Sequence, residues 1–143
     1  MLANSSARRL RTEPRRRPSH GAEGYGVPIS LASMASLLGI PNVVTYTAAK
    51  PAYSGLARGL SSELSPHGVR VNAIAPGWIE TLMLHQALDS GPARKARILE
   101  CTPTARFGSA EDIEWAAVCL CSRAGPFVTG VILPVDGGAS ISF

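Results

Sequence analysis

The spacing of apolar residues changes along the chain, and each change predicts an element. "VPISLAS" (27–33) is a short apolar run suited to a buried strand. "VVTYTAAKPAYSGLARGLSSELS" (43–65) carries Ala49, Ala52, Leu56, Leu60 and Leu64 at helical spacing, which predicts one long helix. "PHG" ends that helix, with Gly68 placed for a left-handed turn. "VRVNAIA" (69–75) predicts a second strand closed by Pro76–Gly77, and Trp78 to Phe107 reads as a long irregular segment. "SAED" (109–112) has the form of a capping box with Asp in place of Glu. Ile113, Ala116, Ala117 and Leu120 follow it at i, i+3, i+4 and i+7, a helix with one buried face. "GVILPVDGG" (130–138) completes the pattern as a strand and turn. Strands alternating with helices predict a parallel α/β sheet.

Before residue 27 the pattern is absent. "MLANSSARRLRTEPRRRPSHGAEGYG" has few apolar residues and no period, and reads as a disordered basic leader over 1–26. Its first 20 residues hold six of the fourteen basic side chains and one acid, Glu13. Eight basic and nine acidic residues remain, so the high pI of 9.3 belongs to the leader. An inert, solvated leader is the plain reading; a nucleic-acid arm or an organelle-targeting peptide is the alternative. The rest, 27–143, is long enough for one domain. No run approaches the roughly 18 apolar residues of a membrane span, and no apolar signal core opens the chain. Cys101, Cys119 and Cys121 lack metal-ligand spacing, and reduced, buried thiols in a cytoplasmic protein are expected.

The chemistry centres on Tyr46 and Lys50. A phenol, with an unperturbed pKa near 10, is a poor base at neutrality. Lys50 lies one helical turn on, where its ammonium favours the phenolate. A hydroxyl at the end of the preceding strand, Ser33, is placed to orient a substrate oxygen. Together these groups suit proton transfer to an alcohol or carbonyl oxygen. Tyr and Lys at i, i+4 also occur by chance in amphipathic helices, so the pair alone leaves a packing role open.

The order of several motifs narrows the choice. Ser33, then "YTAAK" thirteen residues on, then "VRVNAIAPGWIET", then "TGVILPVDGG" resembles the C-terminal half of the short-chain dehydrogenase/reductase family, over about 29–140. The resemblance implies an α/β fold, the second half of a doubly wound, parallel-sheet Rossmann-type domain. It implies an oxidoreductase that interconverts a secondary alcohol and a ketone with NAD or NADP. By motif match, Tyr46 is the general acid/base. Lys50 lowers its pKa and binds the nicotinamide ribose, and Ser33 holds the substrate oxygen. Pro76, Gly77, Ile79 and Thr81 fall on the nicotinamide and phosphate side of the cleft, with the Ile79 backbone facing the carboxamide. A small-molecule substrate and a homo-oligomer are the implied partners, with Trp78 to Phe107 as a substrate lid.

The departures carry expectations of their own. The family's glycine-rich phosphate loop and its N-A-G motif have no counterpart before Ser33, which implies a truncated chain with weak or absent activity alone. A non-catalytic remnant that associates with full-length relatives is the alternative function. Pro28 removes a ladder donor from what the family makes a central strand. Pro51 interrupts the Tyr46 helix and disfavours helical geometry at Lys50, so a disturbed Tyr46–Lys50 register is expected.

Overall fold

The computed structural model describes residues 26–88 and 91–142, so the leader lies almost wholly outside the described residues. Three strands form one parallel sheet in the order β1–β2–β3: β1 is Ile29–Leu31, β2 is Asn72–Pro76 and β3 is Ile132–Val135. Helix α1 (Val44–Ala49) and helix α2 (Pro51–Leu64) connect β1 to β2. Helices α3 (Leu82–Leu88), α4 (Pro92–Glu100) and α5 (Ala110–Cys121) connect β2 to β3. The register sets Ile29 opposite Asn72 and Ala73 opposite Ile132, which brings the carboxyl ends of all three strands to one edge.

Small residues let this sheet close. Ala32, Ala57, Val71, Ala73 and Ala75 form the core, with Leu60, Leu64, Val69 and Ile132 packed against it. Ala57 places α2 directly on β2, because alanine keeps helix and sheet backbones close. The alternate residues Asn72 and Ile74 are buried too, so both faces of β2 are covered. A fully buried asparagine needs partners, and Asn72 has them. Its amide donates to the Val128 carbonyl at 3.1 Å and its side-chain oxygen accepts from the Val131 N–H at 3.2 Å. Thr129 extends the same stitch, accepting from the Val71 N–H at 3.1 Å and meeting Ser61 Oγ at 2.8 Å.

Several expectations change at this level. The predicted long helix is divided at Lys50, the last residue before Pro51 opens α2. Proline suits that first position, since its missing N–H would have no partner within α2 in any case. Lys50 nevertheless keeps helical angles (φ −68°, ψ −33°) and donates its N–H to the Tyr46 carbonyl at 3.0 Å. The expected disturbance of the Tyr46–Lys50 register therefore does not occur. Two of the five positions in the predicted apolar stripe, Leu60 and Leu64, pack on the core, while Ala49, Ala52 and Leu56 face outward. Ser54, Ala57 and Ser61 form the buried face instead. The segment expected to be irregular contains α3 and α4. All three cysteines are exposed rather than buried. Pro28 sits just before β1, at the edge of the described sheet, and contributes its carbonyl to the Asn72 N–H at 3.1 Å.

Other expectations hold. Gly68 is left-handed at φ 79° and closes the helical region. Ser109 and Asp112 form the capping box, with the Asp112 N–H bonded to Ser109 Oγ at 3.3 Å and the Ser109 N–H to Asp112 Oδ2 at 2.7 Å. Arg106 grips the same carboxylate with both terminal guanidinium nitrogens, Nη1 and Nη2, at 2.8 and 3.0 Å. Those bonds, and after them the Ser109 N–H, hold the Asp112 carboxyl well below the usual carboxylate range.

Two predictions arise here. Asn72→Leu keeps the branched outline of the side chain but strands the Val131 N–H, while the Val128 carbonyl retains Arg70 Nη1 at 3.2 Å, and a cost of about 1–3 kcal/mol is expected. Urea unfolding of parent and variant measures it. Asp112, with its folded pKa depressed, contributes stability that is present above its unfolded pKa near 4 and is lost as pH falls below that. Because the pair with Arg106 is exposed, the contribution is small, and acid titrations followed by circular dichroism should show only a slightly shallower loss of stability for Asp112→Asn than for the parent.

Candidate functional site

Ser33 lies two residues beyond the end of β1, where the chain turns out of the sheet. Its hydroxyl accepts the Ala35 N–H at 3.1 Å and caps a 3-10 turn over Met34–Ser36. The side chain is buried at 7% exposure, and its proton stays free to donate. Helix α1 packs against this turn. Tyr46, in the first turns of α1, is 45% exposed, so its ring is not a core residue.

Lys50 ties the helix to the strand end. Its ammonium donates to the Leu31 carbonyl at 3.1 Å. That carbonyl is turned away from β2, because the neighbouring Pro28 carbonyl and Ala32 N–H are the groups bonded to β2 and parallel strands alternate direction by residue. The same ammonium lies 5.3 Å from the centre of the Tyr46 ring and 5.1 Å from that of Tyr53. Each distance is within cation–π range. Tyr53 is an addition to the predicted set; its signal is the i, i+4, i+7 spacing of positions 46, 50 and 53, which stacks them on one helix face.

The second half of the site follows β2. Pro76 ends the strand, and the Gly77 N–H donates to the Val135 carbonyl at 3.0 Å. A Cβ on Gly77 would stand 2.6 Å from Asp136 Cβ, so the glycine is required by this approach to the end of β3. Ile79 forms a parallel bridge with Gly108: the Gly108 N–H donates to the Trp78 carbonyl at 2.9 Å and the Glu80 N–H to the Gly108 carbonyl at 2.7 Å. Such a bridge uses the groups on either side of Ile79 and turns its own N–H and C=O the other way. Among the described residues that pair takes no hydrogen bond. It fits a planar amide that both donates and accepts. Thr81 is exposed, and its hydroxyl accepts the Leu84 N–H at 3.2 Å at the start of α3. His85 is exposed one turn further along that helix.

Ser33, Tyr46 and Lys50 are thus gathered around the end of β1, and Pro76 to Thr81 leave the end of the adjacent strand β2. Crevices beyond the carboxyl ends of parallel strands are where open α/β sheets bind ligands. Among the described residues no His, Cys, Asp or Glu cluster could hold a metal, and no helix is long and apolar enough to cross a membrane.

Comparison with known proteins identifies the family and the fold. The profile of the family described as enoyl-(acyl carrier protein) reductase matches residues 15–140. The 2-dehydro-3-deoxy-D-gluconate 5-dehydrogenase of Bacillus subtilis is 44% identical over 115 residues, covering 80% of this chain and 45% of that one. A protein from Agrobacterium tumefaciens described as a 2-deoxy-D-gluconate 3-dehydrogenase, crystallised with NADP, is similar at 47% identity. It superposes with a TM-score of 0.73 over 78% of this chain and 45% of that one. A protein from Haemophilus influenza described as a D-mannonate oxidoreductase, with bound NAD, is 33% identical. Its TM-score is 0.76, over 85% of this chain and 45% of that one. This chain spans about half the length of the relatives it matches. With a matching profile, an ordered set of motifs and a shared parallel sheet, it belongs to the short-chain dehydrogenase/reductase family.

Proposed function

We propose that this chain carries the substrate-facing and nicotinamide-facing half of an NAD(P)-dependent oxidoreductase, one that interconverts a secondary alcohol and a ketone on a small molecule. The observation that carries the reading is the position of the Lys50 ammonium, on the Leu31 carbonyl and against the Tyr46 ring, at the strand end that leads to Ser33. A nicotinamide cofactor, when bound, supplies or accepts the hydride. In this reading the Ile79 N–H and C=O hold its carboxamide, Pro76 and Gly77 shape the turn beneath it, and Thr81 offers a hydroxyl to a phosphate or carboxamide oxygen. Lys50 exchanges or shares its bond to Leu31 with the ribose hydroxyls.

The residues of the chain then divide the proton chemistry. Ser33 donates to the substrate oxygen and fixes it beside Tyr46. The Tyr46 phenol gives its proton to that oxygen during reduction and takes it back during oxidation. Lys50, a fixed positive charge beside the ring, steadies the negative charge that passes through this corner. A carbonyl or alcohol is the functional group these three acceptors and donors suit. The reading also places the protein in the cytoplasm.

Association with a second copy belongs to the same proposal. Among the described residues β1 pairs only with β2, and Leu31, Val44 and Leu56 are exposed at 56%, 78% and 50%. An open strand edge beside apolar side chains is a template for pairing. Size-exclusion chromatography with light scattering should show oligomers at micromolar concentration, and a well-dispersed monomer that melts cooperatively overturns this part.

The catalytic reading is tested by joining the chain to the dinucleotide-binding half of a full-length relative and following carbonyl reduction. Tyr46→Phe keeps the ring and its contact with Lys50 but deletes the proton, and a fall of about 10²–10⁴ in rate is expected. Turnover near the parent rate after that substitution sinks the assignment.

A further inference from the structure

The Arg106 side chain does more than pair with a carboxylate. Its Nη1 donates both to Asp112 Oδ2 at 2.8 Å and to the carbonyl of Phe107 at 3.0 Å, while Nη2 reaches Asp112 Oδ1 at 3.0 Å. The guanidinium therefore fixes the orientation of the Phe107–Gly108 peptide relative to the start of α5. Gly108 in turn presents its N–H and carbonyl to Trp78 and Glu80, on either side of Ile79. The approach is close: a Cβ on Gly108 would meet Ile79 Cδ1 at 2.6 Å. From the other side the same loop is pinned to the end of β3, where the Thr104 N–H donates to the Gly137 carbonyl at 3.2 Å. Trp78, Ile79, Arg106, Gly108 and Asp112 enclose a void of about 40 Å³ behind the bridge, too small for more than a water or two.

We propose that Arg106 is a positioning residue for cofactor binding: through the Phe107–Gly108 peptide it sets the direction in which the Ile79 N–H and C=O face. An exposed ion pair contributes little to global stability, and this one is 59% and 32% exposed. Its geometry serves local order instead. The Ile79 bridge is a single rung with no flanking ladder, so without the fork the Phe107–Gly108 peptide is free to rotate and the rung opens. Arginine suits the task because one planar group satisfies a carboxylate and a carbonyl together, which a lysine cannot reproduce. The inference rests on the reading of Ile79 as the residue that faces the cofactor carboxamide.

Amide hydrogen exchange on the full chain, followed by NMR for the parent, Arg106→Met and Arg106→Lys, tests it. Arg106→Met leaves the Ser109–Asp112 capping box in place, so α5 stays capped. Exchange at the Glu80 and Gly108 amides is expected to rise about tenfold or more, with Ala73 in β2 and Asp112 in α5 unchanged. Arg106→Lys should fall between parent and Met. Unchanged exchange at Glu80 overturns the proposal, and so does a rise shared equally by β2 and α5, which makes Arg106 a general structural residue. Millimolar NADP⁺ added to the same samples separates this proposal from the reading beneath it. A shift of the Ile79 amide in the parent, diminished in Arg106→Met, is expected. No response at Ile79 in the parent, with the exchange pattern as expected, removes the cofactor role and leaves the clamp standing.

Discussion

The enclosure of β2 is the constraint from which the rest of the structure follows. It has a strand on each edge, and neither face is open to solvent. Every residue in it must therefore be small, apolar or fully hydrogen-bonded. Ala73 and Ala75 meet the first condition and let Ala57 of α2 come into contact; Ile74 meets the second and Asn72 the third. Because Asn72 bonds both Val128 and Val131, the approach to β3 is fixed by a side chain at the start of β2. The far end is fixed by Gly77 against Asp136. A strand held at both ends leaves no freedom in where Trp78 to Thr81 emerge, and that emergence is one wall of the candidate site.

The other wall depends on how a proline is accommodated. An interior proline removes a hydrogen bond and crowds the preceding turn. Here the chain treats Pro51 as a new beginning, so the cost falls on the Thr47 carbonyl, which loses its natural donor. Thr47 Oγ1 is also buried without a partner. Lys50 stays helical through this junction, and its side chain bonds a strand carbonyl while its ammonium lies 5.3 and 5.1 Å from the centres of two tyrosine rings. These three contacts hold Lys50 beside Tyr46 even where the backbone ladder is interrupted.

What the sequence makes legible follows from how local each signal is. The capping box at Ser109 and Asp112, the left-handed Gly68 and the buried side of α5 are decided within a few residues, and each is found where the pattern puts it. The three strands are also found, each shorter than its apolar run, because hydrogen-bonded pairing ends before the apolar residues do. Ser33, Tyr46 and Lys50 are readable because strand end and helix spacing place them. The failures concern tertiary context. Ala49, Ala52 and Leu56 have the spacing of a core face, but Ser54, Ala57 and Ser61 are small enough to let the helix approach the sheet, and they take that face instead. The helices α3 and α4 are short, and prolines, glycines and charges around them mask their periods. Arg106 was silent for a different reason: its partners, Asp112 and the Phe107 carbonyl, acquire meaning only once Gly108 is seen against Ile79.

The two walls are stabilised by different physics, and this bears on how the site works. The Ile79 side is backbone held by backbone, reinforced by a guanidinium fork and by Gly77, whose position against Asp136 tolerates no Cβ. Its geometry is set before any ligand arrives, which suits the recognition of a rigid, planar group. The Tyr46 side is built from long side chains at a partly exposed helix surface, where a charge sits over aromatic rings and on one carbonyl. Such contacts can be exchanged for others of similar strength, as the proposed proton transfer and ribose binding would require of Lys50. On the proposed function, a fixed wall for the cofactor and an adjustable one for the reacting oxygen is the arrangement that reversible chemistry on a small alcohol would need, since the cofactor would have to be held in register while the proton moves in both directions.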